Sequence, residues 1–105
     1  MTSVYNAAKA AVRSLARTFA TELAPRGLRV NVVSPGLTIT PMTQGDIGVP
    51  AEERDRAAQA QLSMIPMKRF LDAGEIANVM LFLASDESSP FTGADLVPDG
   101  GIAQV

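Results

Sequence analysis

Tyr5 and Lys9 lie four residues apart in the run Tyr-Asn-Ala-Ala-Lys. On an α-helix that spacing stacks two side chains on neighbouring turns of one face. A free tyrosine titrates near pH ~10 and is a poor base in neutral water. An ammonium close to a phenol favours the phenolate, and a tyrosine placed in that way can pass a proton to or from a substrate oxygen. The small side chains of Ala7 and Ala8 let other groups approach closely. The same spacing also occurs in solvated surface pairs that contribute little energy. Taken alone, the pair leaves proton transfer and surface decoration both open.

The elements that must position the pair are legible along the chain. From Ser3 to Ala24, apolar residues (Val4, Ala8, Ala11, Val12, Leu15, Phe19 and Leu23) recur at three- and four-residue steps, which predicts an amphipathic helix. Tyr5 and Lys9 fall on the flank of its apolar stripe, where they could border a cleft. Pro25-Arg26-Gly27 ends this helix, with Gly27 able to take positive φ. Leu28 to Ser34 is short and β-branched and reads as a strand. Ser34-Pro35-Gly36 breaks it, and Leu37 to Gly48 reads as loop. A second helix starts at Pro50, a residue tolerated in a first turn, and runs to about Leu62. Glu52 and Glu53 suit its positive end. Its apolar edge is thin (Ala57, Ala58, Leu62), so it is expected to be weakly anchored. Ser63 to Phe70 reads as a connector. Asp72 and Glu75 have capping-box spacing ahead of a third helix that turns Ile76, Val79, Met80 and Leu83 to one face. Ala94 to Val97 reads as a second short strand, halted by Pro98-Asp99-Gly100-Gly101.

A strand followed by helices and another strand is most economically a right-handed parallel crossover. Neither strand alternates strictly, which agrees with a sheet covered on both faces. The fold class is α/β. Two strands make a very small sheet, and no strand precedes the first helix. The expectation is the C-terminal part of a doubly wound parallel-sheet, Rossmann-like fold, with residues 1–105 forming part of one domain.

Bulk properties narrow the function classes. The chain has 105 residues, is 47% hydrophobic and has a formal net charge of -2. It is too apolar for a disordered polymer, and its charge gives no reason to expect nucleic acid or an anionic membrane surface. It has no cysteine and no histidine, which removes disulfides, Cys/His metal sites and histidine catalysis. No metal site is expected. Its apolar runs are far short of the ~20 residues a membrane span needs. No secretory signal is visible, and the lack of cysteine agrees with a reducing compartment, so a cytoplasmic location is expected.

The run from Tyr5 to Met42 and the run from Ile65 to Gly101 together resemble the C-terminal half of the short-chain dehydrogenase/reductase family, in its simple reductase subgroup. The resemblance rests on ordered landmarks: the Tyr-x-x-x-Lys pair, Arg29-Val30-Asn31, Pro35-Gly36, Phe91-Thr92-Gly93 and Asp99-Gly100-Gly101. It implies an NAD(P)-dependent oxidoreductase that moves hydride between the nicotinamide and a carbonyl or alcohol carbon. Tyr5 then matches the acid/base, and Lys9 the lysine that assists it and holds the nicotinamide ribose. Pro35 and Gly36 match the loop beneath the nicotinamide. Thr38 stands where the family has Ile or Val, whose backbone meets the carboxamide. Thr40 matches a threonine that touches the carboxamide or a phosphate. Residues 43–63 correspond to the substrate lid, with Met42 and Met64 as adaptable apolar walls beside Met67. The cofactor is NAD or NADP, the substrate a small carbonyl or alcohol, and the complete protein a homo-oligomer, dimer or tetramer.

The family's glycine-rich cofactor fingerprint, its catalytic serine and its catalytic asparagine have no match in these residues. Two other readings follow: a truncated, non-catalytic fragment or assembly piece, and a nucleotide-sugar epimerase or dehydratase using the same pair. The short stretch after Asp99-Gly100-Gly101 favours the simple reductase over the latter. An unpaired strand edge and an uncovered helix face predict marginal stability and a tendency to self-associate.

Overall fold

A computed structural model describes residues 2–41 and 50–104. The described elements, in order, are helix α1 (Thr2–Leu23), strand β1 (Val32–Val33), helix α2 (Ala51–Met64), helix α3 (Ala73–Ala84) and strand β2 (Asp95–Leu96), with short 3-10 turns at Ala24–Arg26, Asp86–Ser88 and Ile102–Gln104. They form two compact units. The first comprises residues 1–33 and 80–96, the second residues 34–79 and 97–105. Helix α3 contributes to both.

In the first unit, α1 ends where Pro25 and Gly27 were expected to end it. Gly27 has φ 73°, and its N–H donates to the Ala24 carbonyl at 2.9 Å. The apolar stripe of α1 is largely uncovered: Val4 is 74% exposed, Val12 and Leu15 about half, and only Ala20 is buried. Ala20 sits against Gly93, where an added Cβ would lie 3.5 Å from the alanine methyl.

Strands β1 and β2 pair in parallel, Val32 opposite Asp95 and Val33 opposite Leu96. The parallel crossover expected from the element order is therefore present. The ladder is shorter than the strand spans Leu28–Ser34 and Ala94–Val97 read from sequence. Side chains replace rungs at its start. The Val30 N–H donates to Thr92 Oγ1, and the Asn31 amide donates to the Phe91 carbonyl while accepting from the Ala94 N–H. Backbone bonds from Val32 N to Ala94 O and from Gly93 N to Val30 O frame the pairing.

Among the described residues of the second unit, Ile65, Leu71 and Ile76 are the buried apolar ones. Pro50 is the residue before α2, not its first helical residue: its ψ of 142° is extended. Its carbonyl accepts from the N–H groups of Glu53 and Arg54. Helix α2 has no buried residue, as its thin apolar edge predicted; Ala58 and Leu62 are half-buried, whereas Ala57 is exposed. It runs two residues beyond Leu62 because the residue before Pro66 is the one forced into extended backbone, and that residue is Ile65. The Lys68 ammonium donates to the Ser63 carbonyl at 2.7 Å, satisfying an acceptor in the last turn of α2.

The capping box ahead of α3 is formed. Asp72 Oδ1 accepts from the Gly74 N–H at 2.7 Å, and Glu75 reaches back to the Asp72 N–H at 2.9 Å. On the face of α3 that carries Ile76, Val79, Met80 and Leu83, Ile76 is buried, Val79 and Leu83 are half-buried and Met80 is 54% exposed. The apolar residues of α3 surround most of its circumference, and the described residues cover only part of that surface.

Candidate functional site

Helix α1 brings Tyr5 and Lys9 together. The Lys9 Nζ lies over the Tyr5 ring, 5.4 Å from its centroid. That is the cation–π range, in which the ring quadrupole attracts the ammonium. The one-turn spacing therefore produces a real juxtaposition. Tyr5 is 62% exposed and Lys9 is also exposed, so both polar ends are open to a ligand.

The Pro35–Thr40 segment lies in the second unit. Its course is set by main-chain bonds. The Gly36 N–H donates to the Pro98 carbonyl at 3.0 Å, Leu37 O accepts from Leu71 N at 3.0 Å, and the Ile39 N–H donates to Leu71 O at 2.9 Å. Thr38 is thus held in a parallel bridge opposite Leu71, with its hydroxyl donating back to the Gly36 carbonyl at 3.0 Å. Pro35 is exposed, and Thr40 is half-buried. Packing within the second unit by itself requires glycine at position 36. A Cβ there would come 2.6 Å from the Asp99 Cα and 2.8 Å from its Cβ.

Met64, the last residue of α2, is 57% exposed, and Met67 is similarly open. Met42 and most of the loop before Pro50 lie outside the described residues, so of the 43–63 lid only α2 is seen.

Several residues position distant backbone, a role that the sequence reading did not give them. Arg29 is the most connected. Its Nη1 donates to Ser88 O, Ser88 Oγ and Phe91 O, and its Nη2 to Leu83 O and Ser85 O, at 2.8 to 3.1 Å. The guanidinium neutralises the carbonyl-rich end of α3 and binds it to the Ser88–Phe91 turn. Ser88 is fully buried there. Phe82 and Phe91 meet edge to face, with centroids 5.8 Å apart. Arg13 of α1 makes a 2.6 Å ion pair with Asp95 of β2. Asp99 is 4% exposed, and its two carboxylate oxygens accept from the Gly101 and Ala103 N–H groups. A signal for Arg29 and Asn31 was present: two polar residues at i and i+2 of an apolar strand share one face.

Among the described residues there is no group of three or more potential carboxylate, thiol or imidazole metal ligands, and no helix is long and apolar enough to cross a membrane.

A two-strand parallel sheet whose strands are separated in sequence by helices is a partial Rossmann-like α/β arrangement. A family model described as enoyl-(acyl carrier protein) reductase matches residues 1–103. The chain belongs to the short-chain dehydrogenase/reductase family. It is similar to the 3-oxoacyl-[acyl-carrier-protein] reductase FabG of Thermotoga maritima, 48% identical over 98 residues, which cover 93% of this chain and 37% of that protein. It is also similar to the glucose 1-dehydrogenase of Gluconobacter oxydans, 43% identical over 98 residues, 93% of this chain and 35% of that one. A crystal structure of YwfH, an NADPH-dependent reductase involved in bacilysin biosynthesis, superposes with a TM-score of 0.78 at 33% identity, over 89% of this chain and 37% of that chain. The chain thus spans little more than a third of the length of these relatives.

Proposed function

We propose that these residues carry the tyrosine–lysine portion of an NAD(P)-dependent oxidoreductase acting on a carbonyl or alcohol substrate. The observation that carries this reading is the Lys9 ammonium lying 5.4 Å from the Tyr5 ring centroid, with both side chains exposed at the start of a helix inside the matched family region.

The donor set suits the nicotinamide–ribose end of such a cofactor. A phenol and an ammonium provide hydroxyl and N–H donors for ribose oxygens. Pro35, Gly36, Thr38 and Thr40 are the backbone and hydroxyl groups assigned to the carboxamide side. A pyrophosphate needs a glycine-lined cradle at a helix N-terminus. The described glycines serve other ends: Gly27 a helix stop, Gly74 the cap of α3, Gly93 a positive-φ turn, and Gly36, Gly100 and Gly101 close packing. The pyrophosphate and adenine contacts are therefore not assigned to the described residues.

When bound, the nicotinamide supplies or accepts the hydride. In the reductive direction Tyr5 donates its hydroxyl proton to the substrate oxygen, and in the oxidative direction it accepts that proton. Lys9 places a positive charge one turn away, where it steadies the phenolate left after proton transfer. Met64 and Met67, exposed around the end of α2, offer adaptable apolar contact to the substrate.

A second reading, an assembly piece without turnover, draws on the uncovered apolar stripe of α1. One experiment separates the two. Residues 1–105 replace the corresponding segment of the Thermotoga maritima reductase, and oxidation of reduced nicotinamide is followed with carbonyl substrates. Turnover is expected, and Tyr5→Phe should lower it by roughly 10²- to 10⁴-fold, the range of general acid–base catalysis. A folded chimera whose turnover is unchanged by Tyr5→Phe rules out the proton-transfer role. A folded chimera with no turnover favours the assembly piece.

A further inference from the structure

Asp99, Gly100 and Gly101 form the last motif of the sequence, and all belong to the second unit. A carboxylate as buried as Asp99 persists where its charge is met by donors. Here the Gly101 N–H reaches Oδ1 and the Ala103 N–H reaches Oδ2, both at 2.8 Å. Those bonds lock the chain from Pro98 to Ala103 into one turn. Two other segments lean on it. On one side, Gly36 bonds to the Pro98 carbonyl and has no room for a methyl against the Asp99 backbone. On the other, the Met67 N–H donates to the Gly100 carbonyl at 3.1 Å. A Cβ on Gly100 would lie 2.8 Å from Ile65 Cγ2, and one on Gly101 would lie 3.1 Å from Pro66. Ile65 is 1% exposed and caps α2.

We infer that Asp99 is a positioning residue. By fixing the Pro98–Gly101 turn it holds the Pro35–Gly36 loop and the root of α2 at one spacing, so that ordering either segment stiffens the other. The linkage follows from contiguous close contacts, of which those at Gly36 and Gly100 leave no room for a methyl group. Its use, a nicotinamide on the loop side communicating with a substrate under α2, rests on the function proposed above.

The test is residue-resolved amide hydrogen exchange on the full chain with no cofactor present. Asp99→Asn keeps the size of the side chain but offers an amide N–H₂ where one backbone donor needs an acceptor. Loss of a charge-assisted bond is expected to speed exchange at Gly101 and Ala103 by about tenfold or more. Gly36 and Met67 should accelerate with them, while Ile39 and Leu71, bonded in a separate bridge, keep their wild-type rates. Gly36→Ala should act in reverse and speed Gly101 and Ala103, because coupling between sites is reciprocal. The inference is overturned if Gly101 and Ala103 are deprotected while Gly36 and Met67 are not. It is equally overturned if both variants raise every rate in the unit, Ile39 and Leu71 included, since that is general destabilisation. If only Asp99→Asn does so, the Gly36→Ala pattern decides. Exchange is read without cofactor, so an inactive chimera would discard the proposed reaction and leave the linkage standing, and the converse also holds.

Discussion

Replacing Arg29 by methionine probes what holds the first unit together. Methionine keeps an unbranched apolar stem and removes all five donated hydrogen bonds. Four main-chain carbonyls (Leu83, Ser85, Ser88 and Phe91) lose a charged donor at once. Each such bond is worth roughly 1.5–3 kcal/mol in isolation. The sum is smaller, because one side chain makes all of them and the more accessible carbonyls regain water. All four carbonyls keep another donor: Ser88 the Phe91 N–H, Leu83 and Ser85 the Ser88 Oγ, and Phe91 the Asn31 amide. Together these effects place the loss for Arg29→Met at about 2–4 kcal/mol, one or two charge-assisted bonds net. Arg29→Lys keeps the charge but has its donors on a single atom and cannot span acceptors that the guanidinium fork reaches from two nitrogens, so about 1–2 kcal/mol is expected. The assay is urea unfolding followed by circular dichroism, with amide exchange at Ser88 and Phe91 as the local readout. For a urea slope of about 1–2 kcal/mol per molar, the methionine variant should lose roughly 2 M of midpoint or have no folded baseline. A methionine variant within about 0.5 kcal/mol of wild type, the scatter of inert surface substitutions, would refute the assignment of Arg29 as the hub of this unit.

Two further outcomes follow from ion pairs. The two-point bond from Arg69, at 2.7 and 2.8 Å, and then the Asp72 N–H hold the Glu75 carboxyl well below the usual range, at about 2. A depressed folded pKa means that the contribution to stability is present above the ordinary carboxylate range and is lost as pH falls through about 2. NMR titration of the Glu75 carboxyl should show that low midpoint, and Arg69→Met should return it towards ordinary values. A normal midpoint in the wild-type chain contradicts the paired geometry. For Arg13 and Asp95, whose side chains are 56% and 14% exposed, a double-mutant cycle with Arg13→Ala and Asp95→Asn should give a coupling of about 1 kcal/mol, at the upper end for partly exposed pairs. That coupling should shrink with added salt; a coupling near zero at low salt would show that the contact contributes nothing.

Local rules carried much of the fold. The stop of α1 at Pro25–Gly27 and the capping box at Asp72–Glu75 were legible because a few adjacent residues decide them, through fixed φ, missing donors or side-chain reach to near backbone. The Tyr5–Lys9 contact was legible for the same reason, since one helical turn determines it. Strand lengths were less so. The β1–β2 ladder is cut short by Thr92 and Asn31, which take backbone bonds from residues about sixty positions away, and propensity in a single stretch carries no information about such partners.

Residue type and spacing alone therefore determined the helices, the stop of α1, the cap of α3, the parallel crossover and the proximity of a phenol to an ammonium. Tertiary structure alone decided which polar side chains hold distant backbone in place: Arg29 on the end of α3, and Asp99 on its own turn with Gly36 pressed against it. The physical reason is distance along the chain. A contact within one turn is fixed by helix geometry, whereas a hydrogen bond or close approach between residues dozens of positions apart exists only after folding has brought them together.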